Sequence, residues 1–184
     1  MRRTRAALMR AAVALVTDRG TANIPVSDIA DTAGVSRQLV YLHYGDRENL
    51  LLEAALDLAR GDLADLRDGG RAGRERALTV ARHFAAHREF YRSIFSSGSA
   101  FAFNKALSRV LTPLEAGDGS DDADPLAEDF AVFVANGTTA LVAAWVTEGD
   151  EALDPEAMAD RLLAVGGIAM AAAGGLKRPV ADCS

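Results

Sequence analysis

Arg37 and Gln38 stand side by side, and both end in forked groups that make paired hydrogen bonds. A guanidinium can bond guanine O6 and N7 together, and a carboxamide can do the same to adenine N6 and N7. Leu39 follows them, with an apolar group suited to a thymine methyl or to packing. Ten residues after Arg37 comes Arg47, whose charge opposes the dipole of a helix starting there. That placement makes sense where a phosphate docks on the helix N-terminus. Ser27 can present its hydroxyl and neighbouring amides to a phosphate in the same way.

These side chains need a scaffold, and residues 26–50, VSDIADTAGVSRQLVYLHYGDRENL, describe one. Ser27 reads as an N-cap, with Asp28 at the positive end of the helix. Ile29, Ala30 and Ala33 give that helix an inward face. Gly34 sits where the chain must turn sharply with positive φ, and Val35 plugs the turn. Ser36 then caps a second short helix, Arg37 to about Leu42, with Asp46 capping a third. A helix, a tight turn and a second helix with polar outer residues is the geometry that inserts the second helix into the DNA major groove. Arg2, Arg3 and Arg5 form either a flexible arm for the backbone or minor groove, or a solvated basic terminus.

The stretch resembles the DNA-binding head of the TetR family of transcriptional regulators. The resemblance rests on Ile29-Ala30, Ala33-Gly34-Val35-Ser36, Val40-Tyr41-x-His43-Tyr44, Arg47 and Leu50. Val40, Tyr44 and Arg47 are conservative departures from the leucine, phenylalanine and lysine of the family's pattern. The resemblance implies that Tyr41 contacts phosphate and that His43 meets phosphate through its ring or amide. Leu42 departs from the aromatic residue often found at its position, which implies one backbone contact fewer. Further along, His87-Arg88-Glu89-Phe90-Tyr91-Arg92, Trp145 with Glu148-Gly149, and Pro155-Glu156-x-Met158-Ala159 resemble a C-terminal domain common in the family. In the family that domain binds a small ligand and dimerises through its last two long helices.

The fold expected is all-α. A three-helix helix-turn-helix domain spans 1–47, and a helical ligand-binding and dimerisation domain spans 48–184. The DNA-contact candidates are Ser27, Ser36, Arg37, Gln38, Leu39, Tyr41, His43 and Arg47. Expected partners are a double-stranded palindromic operator, a second copy of the chain and a small-molecule effector. Repression is the family's usual mode. The second reading is a helical small-molecule-binding or interaction protein that has lost specific DNA recognition.

Composition agrees with a folded chain of 184 residues, 49% of them hydrophobic. A net charge of −6 argues against DNA binding until its distribution is considered. Residues 1–47 hold seven basic and four acidic side chains, a net +3, which leaves −9 for the rest. A weakly basic head can bind because phosphate contacts act locally. The lone cysteine, Cys183, excludes an intramolecular disulfide and fits a reducing cytoplasm. Arg10 interrupts the first apolar run, so the N-terminus reads as an amphipathic helix rather than a signal peptide. The runs Phe130–Val146 and Leu162–Leu176 are expected to fall short of the ~20 residues of a membrane span, so no membrane partner is expected.

The rest of the chain also reads as helical, with Gly20, Asp68-Gly69-Gly70 and Gly98 as breaks. Gly117–Pro125 reads as an acidic loop lacking calcium-loop spacing. Asp154-Pro155 reads as a cap followed by proline at the first helical position. Candidate effector-pocket residues are Phe84, His87, Tyr91, Phe95, Phe101, Phe103, Phe133 and Trp145, each of which could equally be core. Such a lining suits an apolar or aromatic small molecule. His83 and His87 lie four apart without a third ligand at metal spacing, so no metal or other cofactor is expected. No P-loop, nucleophile elbow or dinucleotide fingerprint appears, and an enzyme is not expected. The small residues Ala135, Gly137, Ala140, Gly166 and Gly167 suit close helix approach, within the chain or between copies.

Overall fold

The computed structural model describes residues 2–63, 73–115 and 125–176, and among them the regular structure is helical. The helices are α1 (Arg2–Arg19), α2 (Val26–Ala33), α3 (Arg37–Tyr44), α4 (Arg47–Asp62), α5 (Gly73–Ala86), α6 (Arg88–Phe95), α7 (Ala100–Glu115), α8 (Pro125–Thr147) and α9 (Pro155–Leu176). The Asp68–Gly70 break, the loop from Gly117 and Cys183 lie outside the described residues.

The head forms because three helices, one long and two short, share one apolar centre. α1 buries Leu8, Ala11, Ala12 and Val16, α2 buries Ile29 and Ala30, and α3 buries Val40 and Tyr44. At the turn between α2 and α3, Gly34 adopts φ 67°. Its amide bonds the Asp31 carbonyl at 3.1 Å, and the Val35 amide bonds that of Ala30 at 3.0 Å. The last carbonyls of α2 are thereby satisfied in the manner of a left-handed helix cap.

Two local expectations change. Ser27 is not the N-cap: α2 begins two residues earlier than that cap would place it, with Pro25 in the cap position. The Asp28 and Ile29 amides bond the Pro25 carbonyl at 3.1 and 3.3 Å. The Ser27 hydroxyl instead donates to Asp28 Oδ1 at 3.1 Å. Nor are Arg3 and Arg5 part of a flexible arm, because α1 is already helical at Arg2. The Arg5 guanidinium lies 5.5 Å from the Tyr44 ring centroid, and the Tyr44 hydroxyl donates to the Arg5 carbonyl at 3.4 Å. A cation over an aromatic face holds the start of α1 against the end of α3.

α4 carries the core out of the head. It packs on α1, α3 and α7, and buries Leu50, Leu51, Ala54, Ala55, Leu56 and Ala59. The Asp46 carboxylate caps it by accepting from the Asn49 amide at 2.7 Å. The apolar core then continues through α5, α6, α7 and α8 without a break.

α8 lies along α7, and α9 lies chiefly along α5. The stretch Glu128–Thr147 of α8 is 20 residues long and apolar enough, on those grounds alone, to cross a membrane. The expectation that this run falls short of a span is corrected: the helix continues beyond Phe130 at one end and Val146 at the other. Within the fold it turns Ala131, Ala135, Thr139, Val142 and Val146 inward, a helical stripe along its neighbours.

Arg88, at the start of α6, closes the far end of this layer. Its guanidinium donates to the carbonyls of Val146, Glu148, Gly149 and Glu151 at 3.3, 3.1, 2.6 and 2.6 Å. These are the carbonyls that the end of α8 and the following turn leave without helical partners. Elsewhere, Arg74 joins α5 to α9 through exposed pairs with Glu156 and Asp160, at 3.0 and 2.9 Å. Exposed ion pairs contribute ~0–1 kcal/mol, whereas hydrogen bonds from a charged donor contribute ~1.5–3 kcal/mol. Replacing Arg88 by Ala should therefore lower unfolding free energy by about 2 kcal/mol, and replacing Arg74 by Ala should lower it by less. Urea denaturation of the two variants measures the difference, and equal losses would mean that the Arg88 contacts add nothing.

Candidate nucleic-acid interface

α3 has eight residues, and its two sides differ completely. Val40 is fully buried and Tyr44 nearly so, while Arg37, Gln38, Tyr41 and Leu42 are exposed. The exposed positions follow the order i, i+1, i+4, i+5, which is one stripe of an α-helix. Ser36 precedes the stripe in an extended conformation, φ −78° and ψ 149°, as an N-cap residue should, without a side-chain capping bond. Gly45 ends α3 with φ 80°, a conformation that suits glycine and lets the chain enter α4 at once.

The sequence candidates divide into three groups. Ser36, Arg37, Gln38 and Tyr41 stand on the outer surface of α3 or at its start. Leu39 and His43 are half-buried on its flanks. Ser27 and Arg47 are half-buried at the starts of α2 and α4. Arg37 and Gln38 make no side-chain hydrogen bond or ion pair among the described residues. Their donors stand exposed to solvent with no acceptor among the described residues to satisfy them, which suits groups that meet an external acceptor.

Arg47 is held differently. It donates to Asn23 Oδ1 at 2.6 Å and to Glu48 Oε1 from Nη2 at 2.6 Å. The same pairing holds the Glu48 carboxyl below the usual carboxylate range. Arg47 therefore fastens the start of α4 to the loop between α1 and α2, a role that its sequence position alone does not reveal. Arg19 does similar work from α1. It reaches Asp28 Oδ2 at 2.6 Å, and with Ser27 it holds that carboxyl below its ordinary value. Both pairs are partly exposed, so each is a positioning contact more than a source of stability.

In the body, part of the aromatic set comes together. Tyr91 lies 4.5 Å from Phe84, 5.7 Å from Phe103 and 6.4 Å from Phe95, measured between ring centroids. Phe84, Tyr91 and Phe103 are wholly buried, and Phe95 brings the cluster to the surface. His87 adjoins it through His83, with ring centroids 5.1 Å apart, and Trp145 packs against the same core. Phe101 and Phe133 are not in this group: they are 80% and 69% exposed. The reason is helical phase, since Phe101 sits about 200° around α7 from buried Phe103, and Phe133 as far around α8 from buried Ala131. A separate cleft of about 460 Å³ lies between α5, α8 and α9. It is lined by Ala77, Val80, Phe133, Leu141, Leu162 and Met170 among others, so Phe133 is the one aromatic candidate on its wall.

A buried polar chain links this cluster to α4. The Tyr91 hydroxyl donates to the Ala55 carbonyl at 3.3 Å and lies 2.7 Å from His83 Nε2. The phenol and His83 Nε2 share one buried hydrogen bond, whose donor is set by the imidazole tautomer. That engages a nitrogen that the His83–His87 spacing offered to a metal. Replacing Tyr91 by Phe should cost about 1–3 kcal/mol, the penalty of losing a buried polar hydrogen bond. Thermal denaturation checks this; an unchanged midpoint would mean that the chain of bonds carries no weight.

The helical arrangement has known counterparts. The sequence model of bacterial regulatory proteins of the tetR family matches residues 8–54, which run from α1 into α4. The HTH-type transcriptional regulator BetI of Rhizobium meliloti is 30% identical over 149 residues, covering 71% of this chain and 73% of that protein. BetI of Agrobacterium fabrum is 41% identical over 56 residues, 30% of this chain and 27% of its own. Among solved structures, the TetR family repressor AlkX from Dietzia aligns with TM-score 0.62 at 19% identity, covering 90% of this chain and 97% of that one. Thermus thermophilus FadR, a TetR-family transcriptional repressor solved with lauroyl-CoA, aligns with TM-score 0.62 at 21% identity, covering 98% and 99%. Those two structures share the fold, and the match to BetI over most of both sequences gives the kinship. This chain belongs to the TetR family of DNA-binding, helix-turn-helix transcriptional regulators.

Proposed function

We propose that the protein is a ligand-responsive repressor that acts in the cytoplasm and binds a palindromic operator as a homodimer. The observation that carries the DNA reading is the outer stripe of α3. Arg37, Gln38 and Tyr41 stand exposed over an underside locked by Val40 and Tyr44. Arg37 and Gln38 read base edges in the major groove. Tyr41 and His43 meet phosphates on either side, with Ser27, Ser36 and Arg47 fixing the register at helix N-termini.

One such head buries too little surface for tight specific binding, so two heads across a two-fold axis read the operator. The support for a second copy lies on α8 and α9. Val132, Phe133, Val165, Ile168 and Met170 are all exposed there, Ile168 by 72%, and Phe133, Val165 and Met170 line the cleft between α5, α8 and α9. An apolar face of this kind is what an isologous interface covers.

The effector is an apolar or aromatic small molecule that enters the cluster of Phe84, Tyr91, Phe95 and Phe103 from its Phe95 side. Tyr91 is hydrogen-bonded to the Ala55 carbonyl within α4, so a shift of the cluster tilts the helix that carries the head. A ligand that prefers one tilt selects one head spacing. FadR was solved with an acyl thioester of coenzyme A, a precedent for a ligand of large apolar content in this fold.

Selection from a randomised-duplex library at near-physiological salt tests the DNA reading. Arg37→Ala should relax the preference at one base pair by about 1–3 kcal/mol. Arg47→Ala should weaken every sequence alike and lower the salt slope by about 1. If both variants select and bind as the parent does, these roles are wrong. If the parent selects nothing, the chain is a helical ligand-binding protein whose head has lost DNA recognition. For the dimer, Phe133→Asp should turn a sedimenting dimer into a monomer, whereas an unaltered dimer would place the interface elsewhere.

A further inference from the structure

Among the described residues before α7, two large apolar side chains are exposed, and they are consecutive: Tyr41 at 55% and Leu42 at 74%. Among the described residues, every other exposed large apolar group lies on α7, α8 or α9. Tyr41 has a hydroxyl that can meet a phosphate. Leu42 has no polar atom in its side chain, so it can bond neither a phosphate nor a base edge. An exposed leucine is left in water at a cost unless something apolar covers it. This one shares its stripe with Arg37 and Gln38, and stands where those two read bases, one turn further along α3.

We infer that Leu42 is a specificity-determining residue that reads the C5-methyl group of a thymine. The inference rests on the proposed DNA-binding role of α3. The major groove presents one apolar feature among its base edges, and it is that methyl. Leu42 lies four residues beyond Gln38, about 6 Å along the helix axis. Base pairs follow one another at about 3.4 Å. The thymine therefore lies one to two base pairs from the position read by Arg37 and Gln38. Leu39 competes weakly for this contact because it is half-buried on the flank of α3. Each half-site should thus contain a thymine whose methyl, and not its hydrogen-bonding edge, is recognised.

Methyl deletion on the DNA tests this with the unaltered protein. In the duplex recovered from the randomised library, each thymine of a half-site is replaced in turn by deoxyuridine, which pairs identically but lacks the methyl. Binding is followed by fluorescence anisotropy for the parent and for Leu42→Ala. At one thymine, methyl loss should weaken the parent about fourfold, the factor for burying one apolar carbon, and leave Leu42→Ala unaffected. Parent binding indifferent to every methyl overturns the inference. So does a methyl effect that Leu42→Ala retains and Leu39→Ala loses. A library that yields no preferred duplex removes the DNA reading itself, and this inference with it.

Discussion

An isolated helix of eight residues does not persist in water, where helices shorter than about 12–15 residues are marginal. α3 has eight residues, and it exists because Val40 and Tyr44 are buried beneath it. Everything the head presents depends on that burial. The outer stripe of Arg37, Gln38, Tyr41 and Leu42 is aimed by the side chains on the opposite side of the helix. Tyr44 is fixed in turn by Arg5, through a ring contact at 5.5 Å and a hydroxyl bond at 3.4 Å. The surface proposed to meet DNA is thus set in place before DNA arrives, which would leave binding little ordering entropy to overcome.

Shared contacts also join head to body. α4 buries side chains from Leu50 to Ala59 in the one core that runs from head to body, so it cannot move without disturbing both ends. The Tyr91–Ala55 bond and the His83 ring make the body side of that contact polar and directional. At the opposite end, Arg88 ties α6 to the turn between α8 and α9 through four carbonyls. A rearrangement near Tyr91 therefore reaches both α4 and the helices proposed to hold two copies together. This is a contiguous path of packed and bonded groups, along which the proposed coupling would run.

Much of the fold is legible in the sequence because its signals are local. The Gly34 turn, the Asp46 cap and the Asp154-Pro155 start all appear where their residue types demand. At the last, Asp154 Oδ1 accepts from the Glu156 and Ala157 amides at 3.0 and 3.1 Å. Ser27 misleads because Pro25 takes the cap position itself, and Arg5 because the partner that orders it, Tyr44, is 39 residues away. The charge of Arg47 is plain in the sequence, while its bonds to Asn23 and Glu48 depend on how a loop folds back. His87-Arg88 and Glu148-Gly149 stand apart in the sequence, and only packing makes them a single contact. The aromatic candidates scatter for the same reason: residue type marks Phe101 and Phe103 alike, and helical phase sends them to opposite sides.

The central claim is that the outer stripe of α3, flanked by the starts of α2 and α4, is the surface that meets DNA. Amide chemical-shift mapping on the preferred duplex tests it most directly. The account predicts perturbations at Arg37, Gln38, Tyr41 and Leu42 and at the amides opening α2 and α4, with α5 and α7 unmoved. Shifts concentrated on the body, or spread evenly with any duplex and abolished by modest salt, would contradict it.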